Sequence, residues 1–412
     1  MPILGTVASG ISLGPDDYIG LTTMGPVYNL GWATVRGDVI VLNAMDTATS
    51  LRYIMYIDNG VISWQKQIAM TTPAYGSRTA ISANGNVISA GDNNGQTQAF
   101  LLILNNSGTR QVENRYTTAG GTQFSCVITD ASNNIFTGGS SNSSERAVIT
   151  KFNSSASIQW TSNYTVFNYS GSYVGLALDS SGNVYGAGYI HGGYEGILTK
   201  LNSSGTPQWY RTIRGNATPT SGDASFSDVE VSSGGDVYAC GGYRATTGSG
   251  ARPVLVKYNS SGTLQWQREF AAGTSSNNYY EEIAFDASEN IYGVWGNYVS
   301  KYNSSGTLQW QRKFTNATIQ LSSITISGTQ MVIGGKIDGY SSIFVLPTDG
   351  TKTGSYTVGA YTVVYGAGTG TEQAGSVLTT LTSLSSGTTS WTTTASTNTI
   401  SNTSFTLTKV TV

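Results

Sequence analysis

Residues 257–270 read KYNSSGTLQWQREF, and residues 301–314 repeat them as KYNSSGTLQWQRKF. Residues 200–213, KLNSSGTPQWYRTI, are a third copy, and residues 151–164, KFNSSASIQWTSNY, a looser one with Ala156 in place of the glycine. Each copy reads as a β-hairpin. An apolar strand end meets Asn-Ser-Ser-Gly, residue types that close tight turns through side-chain hydrogen bonds and positive φ. A second strand follows, with a tryptophan four residues after the glycine.

A unit this regular calls for a search along the whole chain. Its tryptophan recurs as Trp64, Trp160, Trp209, Trp266 and Trp310. Two weaker copies fill the series, LNNSGTRQVENRY at 104–116 with Val112 at the tryptophan position and DGTKTGSYTV at 349–358 with Gly354 there. The anchors lie 44 to 57 residues apart and define seven units.

Each unit divides into four short strands. In the fourth they are YVGLAL (173–178), VYGAGY (184–189), GILTKL (196–201) and residues 206–213, joined by Gly/Asn/Ser turns and one loop. No long stretch has helical periodicity, so the chain reads as all-β. Four-stranded units of this length are propeller blades, because one such sheet cannot bury both faces until others stack on it. The expectation is a seven-bladed β-propeller over residues 21–358, with a short N-terminal arm at 1–20 and a Thr/Ser-rich β tail at 359–412. Gly138-Gly139, Gly186-Ala187-Gly188 and Gly241-Gly242 fit second strands near a crowded axis. The repeated tryptophans are expected to be structural, packing between blades.

The net charge is −2 and only 11% of residues are charged, so a basic nucleic-acid footprint is excluded. No run reaches the roughly 18 apolar residues of a membrane helix, which argues against membrane insertion. The opening MPILGTVASGIS lacks the basic region and apolar core of a signal peptide. Cys126 and Cys240 each sit in an apolar strand and read as buried free thiols.

Candidate chemistry is sparse. His191 is the single histidine, so a paired-histidine metal site is ruled out and a catalytic triad would need this one residue. Asp130, Asp179 and Asp286 open Asp-x-x-x-Asn segments that read as turns, with too few carboxylates for a calcium cage. Glu281 and Glu282 are neighbours on a strand and point to opposite faces. No cofactor, metal site or catalytic residue is expected. The longest loops, 190–195, 214–225 and 244–252, belong to the fourth and fifth units. They hold or adjoin His191, Tyr194, Tyr243, Arg244 and Arg252, the candidate binding residues, since tyrosine and arginine offer rigid area and forked donors.

The Gly-x-x-x-Trp spacing resembles the tryptophan-docking repeat of quinoprotein dehydrogenase propellers, which implies blade packing. It lacks that family's aspartate, Asn202, Asn259 and Asn303 standing one position nearer the glycine. The segments DSSGNVY (179–185) and KYNSSGTLQWQR (257–268) are similar to repeats of virion proteins of marine bacteriophages, and the opening MPILGTVASG is similar to the start of phage tail-associated chains. That resemblance implies a non-enzymatic virion structural protein, a tail, fibre or surface-decoration component. It would be made in the host cytoplasm and belong to a multi-subunit assembly. Its partners would be other virion proteins, reached through the termini, and a host-surface glycan or receptor. The alternative is a bacterial surface or exported propeller that binds glycan.

Overall fold

Each Asn-x-x-Gly segment closes a turn with its own side chain. Asn202 Oδ1 accepts the main-chain N–H of Ser204 at 3.1 Å and of Thr206 at 2.9 Å, while Gly205 takes φ +80°. The pattern recurs at Asn105, Asn153, Asn259 and Asn303. A computed structural model describes the chain outside residues 1–17, 23–31, 47–50, 70–77, 93–97, 119, 142–145, 166–170, 191–194, 214–223, 245–249, 271–278, 369–371, 375–377, 380–384, 388–391, 396–398, 403–406 and 412.

The strands form seven antiparallel sheets, the blades of a β-propeller. Blade one is Trp32–Arg36, Val39–Asp46, Leu51–Asp58 and Val61–Ala69. Blade two is Arg78–Ile81, Val87–Asp92, Ala99–Leu104 and Arg110–Thr117. Blade three is Thr122–Thr129, Ile135–Ser141, Arg146–Phe152 and Ile158–Thr165. Blade four is Gly171–Leu178, Val184–Ile190, Glu195–Leu201 and Pro207–Ile213. Blade five is Ala224–Val231, Val237–Arg244, Ala251–Tyr258 and Leu264–Phe270. Blade six is Glu282–Phe285, Ile291–Trp295, Tyr298–Tyr302 and Leu308–Thr315. Blade seven takes Ile319–Ser327, Gln330–Ile337 and Tyr340–Pro347 from the end of the repeat and Tyr18–Thr22 from the start of the chain.

Two compact units result, blades two to five in one and blades six, seven and one in the other. In the first unit the core lies between successive blades. Tyr185, Leu198, Phe226, Val237 and Val256, for example, fill the space between blades four and five. In the second, Val294, Phe314, Leu321, Ile333 and Phe344 do the same between blades six and seven.

The seventh blade differs from the sequence expectation. Gly354 does not begin its outer strand. Gly354–Val358 instead pairs with Tyr361–Ala367, and that hairpin adds to the outer edge of blade six through Arg312↔Ala367 to Thr315↔Val364. The place on blade seven is filled by Tyr18–Thr22, in register Tyr18↔Val345 to Leu21↔Ser342, so the boundary at residue 21 falls inside a strand. The hairpin is core: Val358, Val363 and Tyr365 are buried against Phe314 and Phe344.

The C-terminal segment then returns along the blades in reverse order. Glu372–Ala374 pairs with the outer strand of blade five, Leu378–Thr379 with blade four and Ser385–Gly387 with blade three. Thr392–Ala395 pairs with blade two, Thr399–Asn402 with blade one and Leu407–Thr411 with Tyr18–Thr22.

The paired glycines have a specific cause. In blades three, four, five and seven the first strand carries a bulge, between Phe124/Cys126, Tyr173/Gly175, Phe226/Asp228 and Leu321/Ser323. The bulge pushes the carbonyl before it into the space of the opposite residue. A Cβ at Gly188 would stand 1.9 Å from Ser172 O, and one at Gly139 1.9 Å from Gln123 O. Gly188→Ala is therefore expected to destabilise by about 1–3 kcal/mol or more. A melting temperature equal to the parent's would contradict that account.

The core also holds titratable groups in their neutral forms. Burial pushes the Tyr116 phenol and the Cys126 thiol up to about 12. Burial, and next the Asp179 carboxylate, raises Tyr185; burial followed by Asp286 raises Tyr292; burial raises Tyr258 and Tyr365. An acid whose pKa is higher folded than unfolded stabilises fully below the unfolded value and loses that contribution as pH climbs to the folded one. The melting temperature is expected to hold to about pH 9 and fall steeply between about pH 10 and 12. A melt unchanged across that window would refute the assignment.

Candidate functional site

The two ends of the blades are built differently. At one end lie the connections from first to second and from third to fourth strand, all short turns with internal hydrogen bonds. The Asp-x-x-x-Asn turns are here. Asp179 Oδ1 accepts the N–H groups of Ser181 and Asn183 at 2.9 Å each, while Oδ2 takes Asn183 Nδ2 at 2.7 Å and the Tyr185 hydroxyl at 3.0 Å. Asp286 repeats the arrangement with Ser288, Asn290 and Tyr292. Donors surround both carboxylates, which is turn chemistry.

The other end carries the connections from second to third strand and from blade to blade. These range from the two-residue turns Gly296-Asn297 and Asp338-Gly339 to the segments 214–223, 245–249 and 271–278. His191 and Tyr194 lie outside the described residues.

The other three candidates lie at this end of blade five. Tyr243 and Arg252 face each other across the second and third strands. Tyr243 is only 3% exposed, and its hydroxyl donates to Glu269 Oε2. Arg252 Nη1 donates to Glu269 Oε1 at 3.0 Å, and Glu269 itself is 2% exposed. One buried carboxylate thus binds both residues. Tyr243 does not offer a free face; it orients Glu269, which in turn fixes the part-exposed Arg252. Arg244 ends the second strand and is half-buried. Beside them Tyr279 lies against Gly242, where a Cβ would meet its Cδ1 at 2.5 Å, and the Tyr280 N–H donates to Gly241 O at 3.0 Å. The corner presents a fixed guanidinium edge near a half-buried phenol ring, suited to a ligand rich in oxygen acceptors.

Glu269 was not among the residues singled out from the sequence, yet a signal for it exists. The two best copies of the repeat, 257–270 and 301–314, differ only at Glu269 and Lys313. In blade six Lys313 lies over the Tyr298 ring at 4.8 Å. The carboxylate in blade five has Arg252 and Tyr243 instead. A repeat position that breaks the repeat marks where one blade departs from pure scaffold.

Among the first strands of the first unit, Ser125 Oγ and Ser172 Oγ stand 3.4 Å apart. The Cys126 thiol points to Tyr173 O at 3.8 Å, with Arg78 and Asp228 also acting on it. Burial keeps that thiol protonated, so it is a poor nucleophile. Among the described residues no group of three or more His, Cys, Asp or Glu is placed to hold a metal ion.

Among solved structures, the chain is similar to a catalytically inactive virginiamycin B lyase from Staphylococcus aureus bound to quinupristin. The match has 12% identity and a TM-score of 0.51, and covers 79% of this chain and 99% of that one. It is similar also to a chain of the mitotic checkpoint complex, with 14% identity, a TM-score of 0.52, and coverage of 83% and 94%. At such identities the likeness shows the fold alone. No protein-family model and no curated protein matches the chain.

Proposed function

We propose that this propeller is a non-enzymatic display scaffold of a bacteriophage particle, a tail, fibre or decoration component that binds through the loop-bearing end of its blades. The observation that carries the reading is the division between the two ends. One end repeats the same hydrogen-bonded turn from blade to blade, and the other carries the long connections. Binding surfaces are commonly loops held on a rigid frame. The resemblance of the repeats and of the opening residues to phage virion proteins supports the particle as its place. The partner proposed for the loop end is a host-surface glycan or receptor, met first by the fourth and fifth blades.

The test replaces Tyr194 and Arg244 together with alanine in the folded protein and measures binding to host cells and to neutral glycans. A loss of about tenfold or more, some 1.4 kcal/mol, is expected. Binding equal to the parent's would move the site elsewhere. Mass spectrometry of purified particles tests the location independently, and absence of the chain from them would remove the phage reading.

A further inference from the structure

Blade five carries a buried charge where its neighbours carry none. Glu269 pairs with Val254, and the same ladder position is Asn163 opposite Val148 in blade three and Thr212 opposite Ile197 in blade four. All three side chains belong to residues at most 2% exposed. An amide and a hydroxyl therefore serve this position in the scaffold, and a blade does not need a carboxylate there to fold. A buried ion pair rarely gains stability over neutral residues of similar size. The pair in blade five calls for another reason.

Its geometry supplies one. Arg252 stands two residues before Val254, so its side chain shares a face of the sheet with Glu269. That face turns toward blade four, where Tyr243 and Val254 pack with Leu198 and Ile213. The Tyr243 hydroxyl and Arg252 Nη1 both donate to Glu269. Of the three, Arg252 alone reaches solvent, with its side chain 30% exposed. Among the described residues Glu269 is the one hydrogen-bond partner of that side chain. The apolar floor keeps the carboxylate dry, and the carboxylate fixes one guanidinium nitrogen. The plane of the guanidinium is then set from behind, as a binding group must be if it is to meet a ligand without reordering. Nη2 and Nε remain as donors in that plane.

We infer that Arg252 is a sugar-binding residue, its Nη2 and Nε donors taking two neighbouring hydroxyl oxygens of an uncharged hexose, with Glu269 and Tyr243 as positioning residues. The inference rests on the display reading of the loop end and names the ligand class for it. A forked donor pair matches two oxygen acceptors held side by side. A lone arginine would favour a carboxylate over a hydroxyl pair. Here Glu269 offsets the charge from the far edge of the same guanidinium, and an acidic ligand on the near edge would be repelled by it through a weakly screening interior.

Calorimetric titration of the full chain with neutral oligosaccharides of glucose, galactose and mannose, and with the matching uronates, reads the preference. The parent is expected to bind at least one neutral sugar more tightly than its uronate. Arg252→Ala is expected to lose about tenfold or more in affinity for that sugar. Arg252→Lys is expected to lose as much, because an ammonium drawn onto Glu269 leaves no fork for the ligand; it keeps the ion pair and carries the test should the alanine variant unfold. Glu269→Gln separates binding from mere structure. Its amide still accepts from Arg252 and can donate to the Tyr243 oxygen, but the negative charge is gone. The ratio of uronate to neutral affinity is then expected to rise about fivefold or more. An unchanged ratio in Glu269→Gln, or undiminished neutral binding in the arginine variants, overturns the inference. A parent protein that binds host cells yet none of these sugars overturns it as well and leaves the display reading standing. Absence of both cell and sugar binding removes the two together.

Discussion

Deleting residues 354–412 is expected to abolish cooperative unfolding of the three-blade unit. The deletion removes the hairpin Gly354–Val358/Tyr361–Ala367, and with it Val358, Val363 and Tyr365, which are at most 1% exposed. Burying a tyrosine-sized ring is worth about 3–5 kcal/mol by truncation, and each valine about 1.5–3. The sum, roughly 6–11 kcal/mol, is comparable to the whole stability of a domain, about 5–15 kcal/mol. Phe314 would also lose a ring contact at 4.8 Å, and the outer edge of blade six would be bare. Truncation after Gly368 keeps the hairpin and its buried Val358, Val363 and Tyr365, so its melting temperature is expected to fall by far less. Calorimetry of both variants decides the point. If the chain ending at residue 353 melts like the parent, the hairpin is an appendage and this reading of the core is wrong.

That result bears on how much of the fold the residues disclosed. The blades were legible because four copies carry Asn at the turn and tryptophan at one spacing, and local turn chemistry sets strand register. The closing strand was not. YIGLT at Tyr18–Thr22 has no turn beside it that matches the repeat, and its partner Tyr340–Pro347 lies at the far end of the sequence. Pairing between distant segments leaves no local pattern. The same holds for the C-terminal segment: its Thr/Ser-rich composition and partial alternation told of a β tail, and nothing local told that it pairs with the outer strands of blades five to one.

The candidate site was legible in part. Tyr243 and Arg252 could be placed at the loop end of blade five from their position in the unit. Their common attachment to Glu269 could not, because strand alternation gives the face of a residue and not the rotamer that carries a phenol to a carboxylate one strand beyond its neighbour. The contrast of Glu269 with Lys313 shows what to look for: in a repeat this regular, a charge reversal at one position is informative.

Trp209→Ala is the sharpest test of what holds adjacent blades together within the four-blade unit. The Trp209 ring lies flat on the turn of blade five, where a Cβ at Gly262 would stand 2.9 Å from its Cδ2. Its Nε1 donates to Ser260 O at 3.0 Å, and Lys200 Nζ donates to the same carbonyl at 3.2 Å. On the blade-four side the ring meets Tyr185 edge-on at 6.0 Å, and Lys200 lies over Tyr185 at 5.1 Å. The Arg211 guanidinium covers Trp209 at 5.4 Å and donates to Gly262 O at 2.5 Å. Every layer depends on the ring. Its loss should cost about 2–4 kcal/mol, somewhat below the about 3–5 kcal/mol of a fully buried ring because Trp209 is only partly buried. Gly262→Ala should act on the same contact from the other side, because its φ of +76° and the ring behind it both oppose a methyl group. The two changes share one contact, so the double variant should cost less than the sum of the singles. Additive losses, or a Trp209→Ala protein that melts with the parent, would show that the blades are held by their apolar faces alone and that the repeated tryptophan serves another purpose.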